Sequence, residues 1–218
     1  MIMRNITILL AVIFSLNINA QSAENRAKAK KILDKVSATT KAFTTISADF
    51  VFEMNNQQEN IKEKVVGSIK IKGDKYQLKL MGTITYSNGK TNWTVLEDEE
   101  EVNISEIDPD DDKTMNPAKV FTMYENGFKY TFIKEVFEDT RALYIIDLIP
   151  TNPDGEFSRI RLKIDKDKHT VYSMKRYGND GNIYTIKIKK YTTNTSMPDS
   201  TFVFSKAKYS GFDIIDNR

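Results

Sequence analysis

The sequence predicts a mainly β fold, α+β in class: an antiparallel meander of about ten strands behind an N-terminal helix, with a short helix in the middle. Three observations predict it. Apolar and polar residues alternate with period 2 in segment after segment between Ala48 and Phe204, turn residues separate several of these segments, and helical spacing of apolar residues is confined to two places. At 218 residues, with 40% hydrophobic and 11% aromatic side chains, the chain suits one domain with a sizeable core. Composition also excludes much chemistry. The absence of Cys removes disulfides, thiolate zinc sites, iron–sulfur clusters and cysteine nucleophiles. A single His, His169, removes every site that needs two imidazoles. A net charge of +2 is too small for a nucleic-acid binder.

The first element is a leader. Arg4 is the only charge in residues 1–20, residues 6–16 are apolar, and Ala20 precedes Gln21. A basic start, a short apolar run and a small residue at the cut make a secretory signal peptide, and the run is shorter than the roughly 20 residues of a membrane span. The expectation is cleavage after Ala20, give or take two residues, leaving residues 21–218 as an exported, soluble domain. In a Gram-negative host the compartment is the periplasm. Without disulfides, packing alone must hold that domain together.

An amphipathic helix is expected over residues 22–43, because Ala29, Ile32, Leu33, Val36, Thr40 and Phe43 share one face while Lys28, Lys30, Lys31, Asp34 and Lys35 cover the other. The first strand follows at residues 48–54, with Phe50, Phe52 and Met54 in one phase and Asp49, Val51 and Glu53 in the other. In the next two strands Val65, Gly67, Ile69 and Ile71 alternate with Val66, Ser68, Lys70 and Lys72, then Tyr76, Leu78 and Leu80 with Gln77, Lys79 and Met81. Ser87-Asn88-Gly89-Lys90 reads as a hairpin with two positive-φ positions. Further strands are expected at 91–96, 102–107, 128–133, 143–149, 159–164, 171–177, 183–190 and 201–204.

One interruption breaks the meander. Asn116-Pro117 is an N-cap followed by a first-turn proline, Val120, Phe121 and Tyr124 share a helical face, and Gly127 can stop the helix. This short segment, residues 116–126, is expected to be a mobile lid. A curled sheet with so few helices must close, or be covered, to protect its apolar face.

Candidate chemistry is sparse. His169 lies in the polar turn Lys166-Asp167-Lys168-His169, and no G-x-S-x-G elbow is present, which argues against a serine hydrolase. Asp108, Asp110 and Asp112 imitate the first ligands of a calcium loop, but Lys113 and Lys119 stand where Gly and Glu are required, so a solvated acidic loop is expected. No phosphate-binding glycine loop, metal site or cofactor motif is apparent, and no particular carboxylate pair stands out for glycoside cleavage. What remains is the apolar phase of the strands, which could fill a core or line a cavity.

Three segments, in order, resemble the LolA family of periplasmic lipoprotein carriers. Ile46-Ser47-Ala48-Asp49-Phe50 is similar to that family's passage from helix to first strand, Ser87-Asn88-Gly89-Lys90-Thr91-Asn92-Trp93 to its S-D-G-K-T-x-W hairpin, and Phe202-Val203-Phe204 with residues 211–216 to its F-x-F…G-x-x-V-x-D ending. Asn116-Pro117-Ala118 stands where the family places a short helix. The resemblance implies an unclosed antiparallel β-barrel of about ten to eleven strands, with an N-terminal helix and a short central lid helix over an apolar concavity. It implies a monomeric carrier without cofactor, not an enzyme, that takes lipoprotein acyl chains from an inner-membrane ABC lipoprotein-releasing complex to an outer-membrane acceptor. Another LolA-like role, as a lipid or glycolipid binder or an envelope-stress sensor, is the alternative.

Phe50, Phe52, Met54, Ile69, Ile71, Tyr76, Leu78, Leu80 and Trp93 are then expected to line the acyl-chain cavity, and Pro117, Val120, Phe121 and Tyr124 to form the lid. Phe50 and Trp93 match the family's first-strand Phe and hairpin Trp. Gly73-Asp74 replaces the Arg-Pro whose Arg is implicated in latching the family's lid. The lid therefore closes by apolar contact only, or stands more open.

Overall fold

A computed structural model describes residues 2–107, 123–125 and 127–218, with side chains from residue 21 onward except that of Met123. The expected acidic loop, Asp108 to Asp112, and the lid residues Pro117, Val120 and Phe121 lie outside the described residues.

The N-terminal helix α1 (Ile2–Lys41) is longer than expected. Neither Gly nor Pro, the two strongest helix breakers, interrupts residues 2–41, so the apolar stretch and the amphipathic segment make one run. Its buried face is the expected one: Ala29, Ile32, Leu33 and Val36 are at most 6% exposed.

Twelve strands follow among the described residues: β1 (Ile46–Asn56), β2 (Ile61–Lys72), β3 (Lys75–Leu80), β4 (Thr83–Ser87), β5 (Thr91–Leu96), β6 (Glu101–Glu106), β7 (Phe128–Glu138), β8 (Arg141–Pro150), β9 (Phe157–Asp165), β10 (Val171–Gly178), β11 (Ile183–Thr193) and β12 (Asp213–Asp216). They form one unclosed sheet in the order β12-β6-β5-β4-β3-β2-β1-β11-β10-β9-β8-β7. Each hairpin neighbour pairs with the next, and β1 pairs with β11 to join the two meanders. All pairings are antiparallel except that of β12 with β6.

Three local expectations change. Residues 201–204 are not a strand. Pro198 leads into a 3-10 turn, Asp199–Phe202, which drives Phe202 completely out of solvent. The Asn88-Gly89 turn needs only one positive φ, at Gly89 (89°), because the Asn88 side chain accepts the backbone N–H groups of Lys90 and Thr91 at 2.9 and 2.8 Å. Two-residue turns with both φ angles positive occur instead at Met81-Gly82, 53° and 72° between β3 and β4, and at Asp139-Thr140, 48° and 62° between β7 and β8.

α1 lies on one face of the sheet over its β7 to β10 end. Ala29, Ile32, Leu33 and Val36 pack with Phe132, Ile146, Leu148, Ile160, Leu162 and Ile164 in the largest cluster. In this unclosed, barrel-like sheet the face that α1 covers is taken as the inner, concave one and the opposite face as the convex one. A second cluster lies at the other end and on the other face, where the C-terminal strap, residues 199–212, places Phe204, Tyr209 and Phe212 against Ile84, Tyr86, Val95 and Val102.

Candidate functional site

Residues directly opposite in an antiparallel pair point to the same face, so the register fixes what shares the concavity. Across β1, β2 and β3 the rows run Ile46–Ile71–Tyr76, Ala48–Ile69–Leu78 and Phe50–Gly67–Leu80. From β1 into β11 they continue as Phe50–Ile188, Phe52–Ile186 and Met54–Tyr184, and Ile186 faces Met174, which belongs to the rim of the helix cluster. The face lined by Phe50, Phe52 and Met54 is therefore the one on which α1 lies. Eight of the nine residues expected in the cavity, Phe50, Phe52, Met54, Ile69, Ile71, Tyr76, Leu78 and Leu80, share it.

They divide by burial. Ile71 and Tyr76, each 6% exposed, pack with Ile46 and with Phe43 just beyond α1, closing one end of the concavity. Burial raises the Tyr76 phenol above its ordinary range, although hydrogen bonds to Ser87 and Asn92 oppose it. Phe50 is 5% exposed because its ring lies on Gly67: a Cβ there would stand 2.5 Å from Phe50 Cζ. Phe52, Met54, Ile69, Leu78 and Leu80 are only half-buried. The helix cluster includes none of them, so they form an apolar strip beside α1 and not beneath it.

Trp93 is the exception. It pairs with Tyr86, which pairs with Gln77, in the polar phase of β3. It therefore points to the convex face and packs with the cluster under the C-terminal strap. The cavity assignment of Trp93 is corrected accordingly. The same register shows that the apolar phase changes face after β3. In β4 to β6 the apolar residues Ile84, Tyr86, Trp93, Val95, Val102 and Ile104 are convex, and the concave face carries Thr83, Thr85 and Thr94. The apolar wall of the concavity is thus built by β11, β1, β2 and β3.

Tyr124, expected in the lid, is instead core. It sits in a 3-10 turn, Met123–Glu125, is 6% exposed and packs edge-on against Tyr130 at 6.3 Å within the helix cluster. Glu125 holds this turn to α1, accepting hydrogen bonds from Ser37 Oγ and Lys41 Nζ at 3.0 Å each, and these donors lower its pKa.

Sequence reasoning missed Tyr184, Ile186 and Ile188. Their alternation was visible, but their place beside β1 depends on a pairing across more than 120 residues. Tyr184 now stands 6.1 Å from Phe52, ring centroid to ring centroid. On the convex side Arg161 pairs with Asp147 through two 2.7 Å bonds and Lys187 with Asp139 at 2.9 Å. Among the described residues no cluster of three metal-ligating side chains occurs, and no helix is long and apolar enough to cross a membrane.

The half-covered concave sheet has a counterpart among known families. The family described as outer membrane lipoprotein carrier protein LolA matches residues 16–179. The chain belongs to the LolA family. That family is one of carriers and binding proteins, generally without enzymatic activity, and this LolA-like chain shares its unclosed sheet and N-terminal helix. No curated protein matches the sequence. Among solved structures it is similar to an uncharacterized conserved protein from Thermus thermophilus, with 12% identity, a TM-score of 0.57, and coverage of 86% of this chain and 98% of that one. A LolA superfamily protein from Nitrosomonas europaea gives 10% identity and a TM-score of 0.43, over 81% of this chain and 97% of the other. LprF from Mycobacterium bovis gives 16% and 0.48, over 79% and 96%. The likeness to the Thermus protein supports the fold of this LolA-family chain and nothing further.

Proposed function

We propose that this LolA-family protein is a periplasmic carrier that holds lipoprotein acyl chains against its concave face. It would receive them from an inner-membrane ABC lipoprotein-releasing complex and deliver them to an outer-membrane acceptor. The observation that carries the reading is the half-buried strip of Phe52, Met54, Ile69, Leu78 and Leu80 beside α1, continuous by register with Ile186 and Ile188. A sheet that needed this face only for packing would have it covered.

The physics of transport suits such a strip. Each acyl CH₂ kept from water is worth about 0.8 kcal/mol, so a lipidated protein needs an apolar escort across an aqueous compartment. Release requires that the escort not enclose the chain too tightly, and a wall open on one side meets that need. The threonines of β4 and β5 bound the strip on the side away from α1, which confines the chains to the β11–β3 wall.

The test is twofold. Lipid that copurifies with the protein from its native compartment, identified by mass spectrometry, is expected to be acylated protein. Depletion in the host is expected to leave lipoproteins in the inner membrane. Copurified glycolipid with unchanged lipoprotein sorting would assign a different cargo, and absence of any acyl ligand would overturn the reading.

A further inference from the structure

β11 outruns one of its neighbours. β1 accompanies it from Ile183 to Thr193, whereas β10 pairs with it only from Ile183 to Lys187. Beyond Lys187 the sheet splits, and β11 carries a bulge at Lys189 where its register against β1 shifts. The split holds a slot of about 580 Å³, within the size range of small-molecule sites. Phe43, Val171, Ile188 and Tyr191 give it an apolar floor.

The rim is basic. Arg141, Lys168, Lys189 and Lys190 surround the floor, with Asp165 as the one acid. Asp165 is already engaged: it meets Arg141 at 3.3 Å and accepts the backbone N–H groups of Asp167 and Lys168 at 3.1 and 3.0 Å. Lys168, Lys189 and Lys190 have no ion-pair partner among the described residues, whereas neighbouring Lys187 is held by Glu138 and Asp139. The floor also holds an unspent donor. Tyr191 packs edge-on against Phe43, and its hydroxyl is buried with no hydrogen-bond partner among the described residues. Burial pushes that phenol up to about 12, so it keeps its proton at any physiological pH.

We propose that this slot binds the anionic head group of a single-chain amphiphile, the rim lysines and the Tyr191 hydroxyl meeting the head and the apolar floor taking the start of the chain. A carboxylate and a phosphate monoester share this chemistry, so a fatty acid and a lysophospholipid are the two sources. The inference goes beyond the carrier reading, because the slot lies where β10 and β11 part and has its own basic rim, although Ile188 belongs both to its floor and to the concave wall.

Calorimetry on the purified protein tests it with four probes: laurate, 1-lauroyl lysophosphatidate, monolaurin and dodecyltrimethylammonium. Lys168 and Lys189 are both exposed, so Lys168→Glu with Lys189→Glu should fold normally, as circular dichroism would check. Expected is binding of at least one anion, weakened roughly tenfold or more by the double reversal and by added salt. Tyr191→Phe should weaken it less, and monolaurin affinity should not follow the rim charge. Whichever anion binds names the source. Because an acyl chain can also lie on the concave strip, the double reversal is repeated in a Phe52→Glu background, where the anion binding that remains should still fall with the rim charge. The proposal is overturned if neither anion binds, if the cation binds as well as the anions, or if the double reversal leaves anion affinity unchanged.

Discussion

Replacing Phe52 by Glu separates a lined concavity from a filled core. Phe52 is half-buried, lies between Val65 and Ile186 in the register, and faces the Tyr184 ring at 6.1 Å. Losing that aromatic pair costs about 1 kcal/mol. Losing the buried half of the side chain costs about 1–1.5 kcal/mol more. Against the ~5–15 kcal/mol that holds a domain together, a loss of this size leaves the protein folded. The new carboxylate keeps access to water, and the Arg176 guanidinium, 5.0 Å from the Tyr184 ring, is a nearby counter-charge. Ile160→Glu supplies the contrast. Ile160 is 0% exposed under α1, so an unpaired carboxylate there costs several kcal/mol and should unfold the chain. Melting followed by circular dichroism, paired with displacement of a fluorescent acyl probe, reads both effects. Phe52→Glu should melt cooperatively and lose acyl affinity by roughly tenfold or more. Failure to fold would show that the strip is core, and normal acyl binding would place the chains elsewhere.

Three further outcomes are expected. Gly67→Ala sets a Cβ 2.5 Å from Phe50 Cζ and 2.9 Å from the Lys79 carbonyl oxygen, and should cost about 1–3 kcal/mol and lower Tm by several degrees; an unchanged Tm would mean that the Phe50 ring does not lie on Gly67. Protein recovered from the host envelope should begin near Gln21 by N-terminal sequencing, and a mature chain that still starts at Met1 would remove the export step. Asp199, hydrogen-bonded to Lys72 and Lys75 at 2.8 and 2.6 Å, is lowered from 3.8 to about 2. A carboxylate depressed on folding contributes stability above its unfolded pKa and loses it as pH falls through the folded one. Asp199→Asn should therefore flatten part of the fall in urea midpoint between roughly pH 4 and pH 2, and an unaltered acid limb would show that the strap contact is too solvated to matter.

Much of the fold was legible in the residues because its signals are local. The helical face of Ala29, Ile32, Leu33 and Val36 and the alternation of β1, β2 and β3 follow from periodicities of 3.6 and 2, which need no knowledge of partners. That Phe50, Phe52, Met54, Ile69, Ile71, Tyr76, Leu78 and Leu80 share one face followed from one phase of three consecutive strands. The turn chemistry was legible only in part. Asn88 caps its turn with its own side chain, and Met81 takes a positive φ that its type does not advertise.

What the sequence determined, then, was which residues in each strand act together. Which side of the sheet they face was left to tertiary structure. Alternation divides a strand into two phases but says nothing about what will cover either one. Trp93 and Val95 are as apolar as Ile69 and Leu78, yet they face outward because Tyr209 and Phe212, more than 100 residues later, come back to cover them. Tyr184, Ile186 and Ile188 join the concave wall because β11 returns to β1. Such assignments belong to pairings between distant segments, whose free energy exists only once the whole sheet has formed.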